Sequence, residues 1–132
     1  MLFRSYYLAE VEAVRGLIRA KRPDAQHLFL LDEIFRGTNT AERVAGAYAV
    51  LAYLNRGRDL VVVATHDVEL LHLLGDGYTP VHFREQISDG ELTFDYRIHS
   101  GPSSTRNAIA LLSLMEFPEA VVRDALAAME AR

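Results

Sequence analysis

Two apolar runs of strand length end in groups that can work on a nucleotide. The first, His27-Leu28-Phe29-Leu30-Leu31, leads into Asp32-Glu33, and the second, Val61-Val62-Val63-Ala64, leads into Thr65-His66. Continuous apolar runs of this kind mark buried parallel strands. Ligands of open α/β sheets sit just beyond the carboxyl ends of such strands. Neighbouring strands would therefore bring Asp32, Glu33 and His66 to one rim. An aspartate there can hold magnesium, which takes few carboxylates together with substrate phosphates. A glutamate can polarise a water, and a histidine can sense or stabilise a γ-phosphate. The chemistry these residue types fit is ATP hydrolysis.

The rest of the chain must position that rim. From Tyr7 to Ala20 the apolar residues Leu8, Val11, Val14, Leu17 and Ile18 recur at helical spacing, which predicts an amphipathic helix closed by Lys21-Arg22-Pro23-Asp24. A strand is expected over 27–31, and the loop Arg36-Gly37-Thr38-Asn39-Thr40 then opens a helix that runs to Asn55-Arg56-Gly57. The many alanines of that helix suggest close packing on the sheet. A second parallel strand is expected over 60–64, followed by a short helix from Asp67 to Leu74. Alternating segments near 80–87 and 91–99, joined through Asp89-Gly90, carry a strong hairpin signal. That hairpin is expected to extend the sheet. Two helices, Thr105 to Met115 and Pro118 to Arg132, follow, the second with proline at a helix start.

Bulk properties bound the function. The 132 residues suit one domain, half of them hydrophobic, with a formal net charge of −4, so no global basic field attracts nucleic acid. There is no cysteine, hence no disulfide framework or thiolate nucleophile, and the reducing cytoplasm is the expected compartment. The apolar stretches are far shorter than a membrane span. The histidines and carboxylates outside the rim show no convincing metal-ligand spacing.

No G-x-x-x-x-G-K-[ST] run occurs, so the backbone cradle for α- and β-phosphates is not encoded in these residues. The rim is expected to be half of a nucleotide site. Ser5, just ahead of the first expected helix, is placed where free N–H groups and the helix dipole favour a phosphate. A plain helix cap is the alternative role for it.

Ser5-Tyr6-Tyr7-Leu8-Ala9-Glu10, Leu30-Leu31-Asp32-Glu33-Ile34-Phe35-Arg36-Gly37-Thr38-Asn39-Thr40 and Ala64-Thr65-His66 resemble successive motifs of the MutS ATPase domain, of the ABC-type P-loop class. The resemblance continues through the hairpin to Glu116-Phe117-Pro118-Glu119-Ala120-Val121 and covers essentially the whole chain. It implies a P-loop NTPase fragment, residues 1–132 forming the C-terminal half of the domain, with parallel strands, a C-terminal β-hairpin and helices on the faces. Asp32 would be the Walker B aspartate, ordering magnesium through water, and Glu33 the base for the attacking water. His66 would be the switch histidine facing the γ-phosphate. Thr38 and Asn39 would lie in the loop that communicates across a dimer. Ser5 would be the signature serine that contacts the nucleotide of the partner subunit.

The implied cofactors are ATP and magnesium. The implied assembly is a homodimer with composite ATP sites, reaching DNA through other parts of a parent protein and serving mismatch repair or a related DNA transaction. A fragment that dimerises through its last two helices, without catalysis of its own, is the alternative. Two positions depart from the repair-type pattern Asp-Glu-Ile-Gly-Arg-Gly-Thr. Phe35 stands where glycine would be, and Arg106-Asn107-Ala108 replaces a Tyr-Gly pair. Both resemble MutS-related proteins that carry the ATPase domain without mismatch-recognition domains.

Overall fold

A computed structural model describes residues 2–103 and 107–131, with side chains from Tyr6 onward. The chain divides into two units, one ending at Thr79 and the other beginning at Pro80.

The first unit opens with helix α1, Leu2–Arg19. Its apolar stripe turns Val14 inward and lays Leu17 and Ile18 against the core. Strand β1, Leu28–Asp32, and strand β2, Leu60–Ala64, pair in parallel, with Leu28 opposite Leu60 and Asp32 opposite Ala64. The parallel pairing is the expected one. β1 is shifted one residue toward the C-terminus, so Asp32 closes the strand rather than following it. Helix α2, Thr40–Leu54, connects the two strands, and helix α3, Val68–Leu74, follows β2.

The core is the layer between the sheet and these helices. Phe29 and Leu31 point from β1 toward Val44, Ala47, Leu51 and Leu54 of α2 and Leu70 and Leu74 of α3. Leu51 and Leu54 retain no exposed surface, and truncating either to alanine would cost about 2–5 kcal/mol. Small side chains such as Ala47 let α2 approach the strands closely.

The opposite face of the sheet departs from expectation. Leu28, Leu30, Leu60 and Val62 are each more than half exposed. Alternate residues of a strand face opposite sides. The helices of this unit therefore cover one face and leave the other apolar and open.

At the far end of the sheet Asp59 ties three elements together. It accepts from Lys21 Nζ at 2.8 Å and from the backbone N–H and Nδ1 of His27, both at 2.9 Å. The Arg22 N–H donates to His27 Nε2 at 3.1 Å, which leaves Nδ1 to carry the ring proton shared with Asp59. The Lys21 ammonium first, and then His27, hold the Asp59 carboxyl below the usual aspartate range.

The second unit contains strands β3, Val81–Ser88, and β4, Glu91–Ser100, in an antiparallel hairpin. Asp89 and Gly90 both take positive φ at its turn, as the Asp-Gly signal predicts. The two strands pair with each other as a two-stranded sheet within this unit. Helices α4, Asn107–Leu114, and α5, Glu119–Glu130, complete the unit, with Pro118 in the cap position of α5. The start of the first C-terminal helix as expected, at Thr105, and the Arg106 departure lie outside the described residues.

Candidate functional site

The parallel register brings the C-terminal ends of β1 and β2 side by side, and the Glu33 N–H continues the ladder with a 3.0 Å bond to the Ala64 carbonyl. Glu33 and His66 meet there. The Glu33 Oε1 accepts from His66 Nδ1 at 2.6 Å and from the His66 backbone N–H at 3.0 Å. Because an ionised carboxylate only accepts, the imidazole proton of this pair sits on Nδ1. The imidazole itself is largely exposed, while the glutamate is largely covered. The expected juxtaposition of Glu33 and His66 is therefore present.

Asp32 precedes Glu33 on an extended backbone and faces elsewhere. Its side chain is 81% exposed, and its Oδ2 lies 3.6 Å from Arg36 Nη2. Among the described residues no group of three His, Asp or Glu side chains gathers into a metal cage.

The loop after β1 turns sharply. Glu33 and Phe35 both adopt left-handed backbone conformations, with φ of 49° and 64°. Non-glycine residues are uncommon there. Burial of the Phe35 ring accompanies this turn: it stands edge-on to Tyr7, with centroids 6.1 Å apart, and lies over Gly46. The substitution at the expected glycine position therefore fills the space between α1 and α2, while the backbone keeps a conformation that glycine would adopt freely.

Thr38 and Asn39 immediately precede α2, with Asn39 at its N-cap. The Asn39 Oδ1 accepts from the Glu42 N–H at 3.0 Å as an N-cap, and the Thr38 hydroxyl donates to Glu42 Oε2 at 2.7 Å. Their side chains are engaged in holding the helix start. Ser5 lies within α1, whose backbone begins at Leu2, and not ahead of the helix as expected. No glycine or proline interrupts the residues before it. Its side chain is outside those described.

Two interactions carry no obvious mark in the sequence. Arg43 grips Asp67 with two hydrogen bonds, Nε at 2.9 Å and Nη2 at 2.8 Å. This joins the first turn of α2 to the segment that carries His66, and it holds the Asp67 carboxyl below its ordinary range. The Asp67 N–H also donates to the Thr65 hydroxyl oxygen at 3.1 Å. Glu10 of α1 accepts from the backbone N–H groups of Arg36 and Gly37, at 3.2 and 3.1 Å. Charge-assisted pairs and bidentate forks of this kind fix geometry as well as adding energy.

Among the aromatic residues, Tyr78 is partly buried and donates its hydroxyl to the Leu51 carbonyl at 2.9 Å. Burial pushes that hydroxyl's pKa upward.

A family model described as MutS domain V matches residues 1–131. The chain is 32% identical over 133 residues to a protein of Haloarcula marismortui named DNA mismatch repair protein MutS 2, covering 96% of this chain and 14% of that one. It is 31% identical over 132 residues to the DNA mismatch repair protein MutS of Thermus thermophilus, covering 98% of this chain and 16% of that one. The chain thus spans about one-sixth or less of the length of these curated relatives.

Proposed function

This chain belongs to the MutS family, at its domain V, and on that footing we propose that it is the C-terminal half of an ATP-binding and ATP-hydrolysing domain coupled to DNA transactions. In this reading the fold is that of an ABC-type P-loop NTPase, and the phosphate loop is supplied outside these 132 residues. The observation that carries the reading is the Glu33–His66 contact at the carboxyl ends of two parallel strands. The open apolar face of Leu28, Leu30, Leu60 and Val62 supports it, since parallel sheets are ordinarily covered on both sides.

The residues present fit part of a magnesium-nucleotide site. Magnesium favours one or two carboxylates with waters and phosphate oxygens rather than an all-protein cage. The exposed Asp32 carboxylate suits that role through water. When bound, magnesium and ATP would supply the electrophilic phosphorus and neutralise its charge. Glu33 holds His66 through Oε1, and Oε2 has no protein partner among the described residues. That oxygen accepts a proton from a water in the base role. The Nδ1–H bond sets the imidazole's tautomer and orientation, so the residue that senses the γ-phosphate is positioned by the base itself. Thr38, Asn39 and Ser5 serve a composite site between two copies in a homodimer, DNA is reached through other parts of the parent, and the compartment is cytoplasmic. No helix among the described residues is long and apolar enough to cross a membrane.

The test is Glu33→Gln in the intact parent protein. ATP binding should change less than about twofold, while hydrolysis falls roughly a hundred- to ten-thousand-fold. Unchanged turnover would remove Glu33 from the base role. A second reading, an interaction fragment without catalysis, is favoured by one observation. Phe117, Val122 and Leu126 line an open groove of about 470 Å³ along α4 and α5.

A further inference from the structure

We propose that Glu10 is a positioning residue that locks α1 to the Glu33–Gly37 turn and so holds Glu33 against His66. The proposal deepens the ATPase reading and rests on it for its catalytic consequence, but the clamp itself stands on geometry alone. One carboxylate receives two successive backbone N–H groups, Arg36 to Oε1 at 3.2 Å and Gly37 to Oε2 at 3.1 Å. Directly beneath, Gly37 abuts the helix backbone so closely that a Cβ would lie 3.0 Å from Tyr7 Cα. The Phe35 ring closes the third side against Tyr7.

These three contacts fall on the turn that holds two non-glycine residues, Glu33 and Phe35, in left-handed conformations. Such conformations persist where the surroundings over-determine them. Without the carboxylate, Arg36 and Gly37 would lose the acceptor that fixes the direction of their peptide groups. The turn could then relax toward ordinary φ values and draw Glu33 away from the His66 N–H. Glu10 touches neither Glu33 nor His66, and its effect on them runs through the turn. The helix it anchors also carries Ser5 five positions earlier. In a composite site, the element that meets the partner's nucleotide and the turn that holds the base would then move as one body.

Amide hydrogen exchange on the intact parent protein tests the clamp without any nucleotide. Glu10→Gln keeps the side-chain length but replaces one acceptor with an amide donor. It should speed exchange at Arg36, Gly37 and the His66 N–H by about tenfold, as expected for loss of a bond to a charged group. Glu12→Gln should leave all three unchanged, because Glu12 is exposed and makes no hydrogen bond among the described residues. Faster exchange confined to Arg36 and Gly37, with His66 unaffected, would overturn the proposal. So would equal acceleration at the core amides of Leu51 and Leu54, which would make Glu10 a contributor to general stability.

In the intact parent the same variant should lower kcat at least fivefold, with KM for ATP within about twofold, because Glu10 contacts no reacting group. A change in KM alone would refute the positioning role. A wild-type parent that hydrolyses no ATP would instead refute the ATPase reading and leave the exchange result standing.

Discussion

Replacing Gly37 with alanine should destabilise the first unit far more than a single methyl group suggests. The new Cβ would lie 2.7 Å from Tyr7 Cβ, 3.0 Å from its Cα and 3.2 Å from its N. Non-bonded carbons rest at about 3.5–4.0 Å, so the loop and α1 must part by roughly 1 Å. Gly37 is not in a left-handed conformation, so alanine meets no backbone strain and the whole effect is steric. Two of the three crowded atoms belong to a helix backbone, and no side-chain rotation can relieve them. The same separation stretches the Glu10 bonds to Arg36 and Gly37, already 3.2 and 3.1 Å long, past hydrogen-bonding range.

Overpacking of this kind costs about 1–3 kcal/mol, and the two weakened bonds add about 1 kcal/mol together. The sum is about 2–4 kcal/mol, which for a unit of this size lowers Tm by roughly 8–30 °C. Urea unfolding followed by circular dichroism gives the free energy directly. Gly16→Ala is the internal control. Gly16 is helical with nothing within 4 Å of its would-be Cβ, so the identical change there should stabilise by about 0.5–1 kcal/mol. Tyr7→Ala should not rescue Gly37→Ala, since alanine retains all three clashing atoms. Gly37→Ala within about 0.5 kcal/mol of wild type, or rescue by Tyr7→Ala, would refute the steric argument.

In the intact parent, Asp32→Asn should weaken magnesium-dependent ATP binding on the order of tenfold, because a charge beside a hard cation is lost; equal affinity in a nucleotide titration would separate Asp32 from the metal. Acid should unfold the first unit through Asp59 and Asp67, whose carboxyls lie below the usual aspartate range in the fold. A depressed folded pKa stabilises fully above the ordinary value of about 4, and that contribution is lost as pH falls toward the folded value. Urea midpoints should therefore drop between pH 5 and pH 2, and Asp59→Asn should flatten the decline; an unchanged slope in that variant would assign the acid sensitivity elsewhere. The isolated chain should bind no ATP at micromolar nucleotide in calorimetry, because it lacks the phosphate cradle. It should self-associate in sedimentation through Ala120, Val121, Ala125, Leu126 and Met129 of α5, and tight magnesium-dependent ATP binding would refute the half-site reading.

The features legible in the sequence share one property: their signal lies within a single stretch of chain. The Leu-rich and Val-rich runs foretell two parallel strands, and Asp89-Gly90 foretells the hairpin turn because both residues tolerate positive φ. Asp32, Glu33 and His66 stand out in the sequence because each lies within two residues of the end of an apolar run. Glu10 is not recognisable in this way. On an amphipathic helix it looks like any solvated carboxylate, and its partners are backbone N–H groups 26 and 27 residues away. Backbone donors leave no residue-type signature. The Arg43–Asp67 fork is hidden for a related reason: its members are 24 residues apart, and Asp67 also suits a helix N-cap. The one-residue shift of β1 is a boundary difference, with Asp32 paired to Ala64 at the end of the ladder.

Phe35 shows how a departure from a family pattern can preserve a turn's shape. A left-handed conformation costs a non-glycine residue roughly 1–2 kcal/mol. Fully burying a phenylalanine side chain contributes about 1.5–3 kcal/mol, and the Phe35 residue is 8% exposed. The burial therefore matches or exceeds the strain, and the turn that aims Glu33 keeps its form without glycine. The two terms cannot be separated by truncation to alanine, which would keep the strained φ while losing the ring. Glycine at this position would remove both. It would relax the backbone but empty the space between Tyr7 and Gly46, leaving Glu10 as the principal restraint on Arg36 and Gly37. A glycine-bearing relative would on this argument depend more heavily on the carboxylate at the position of Glu10 than this chain does.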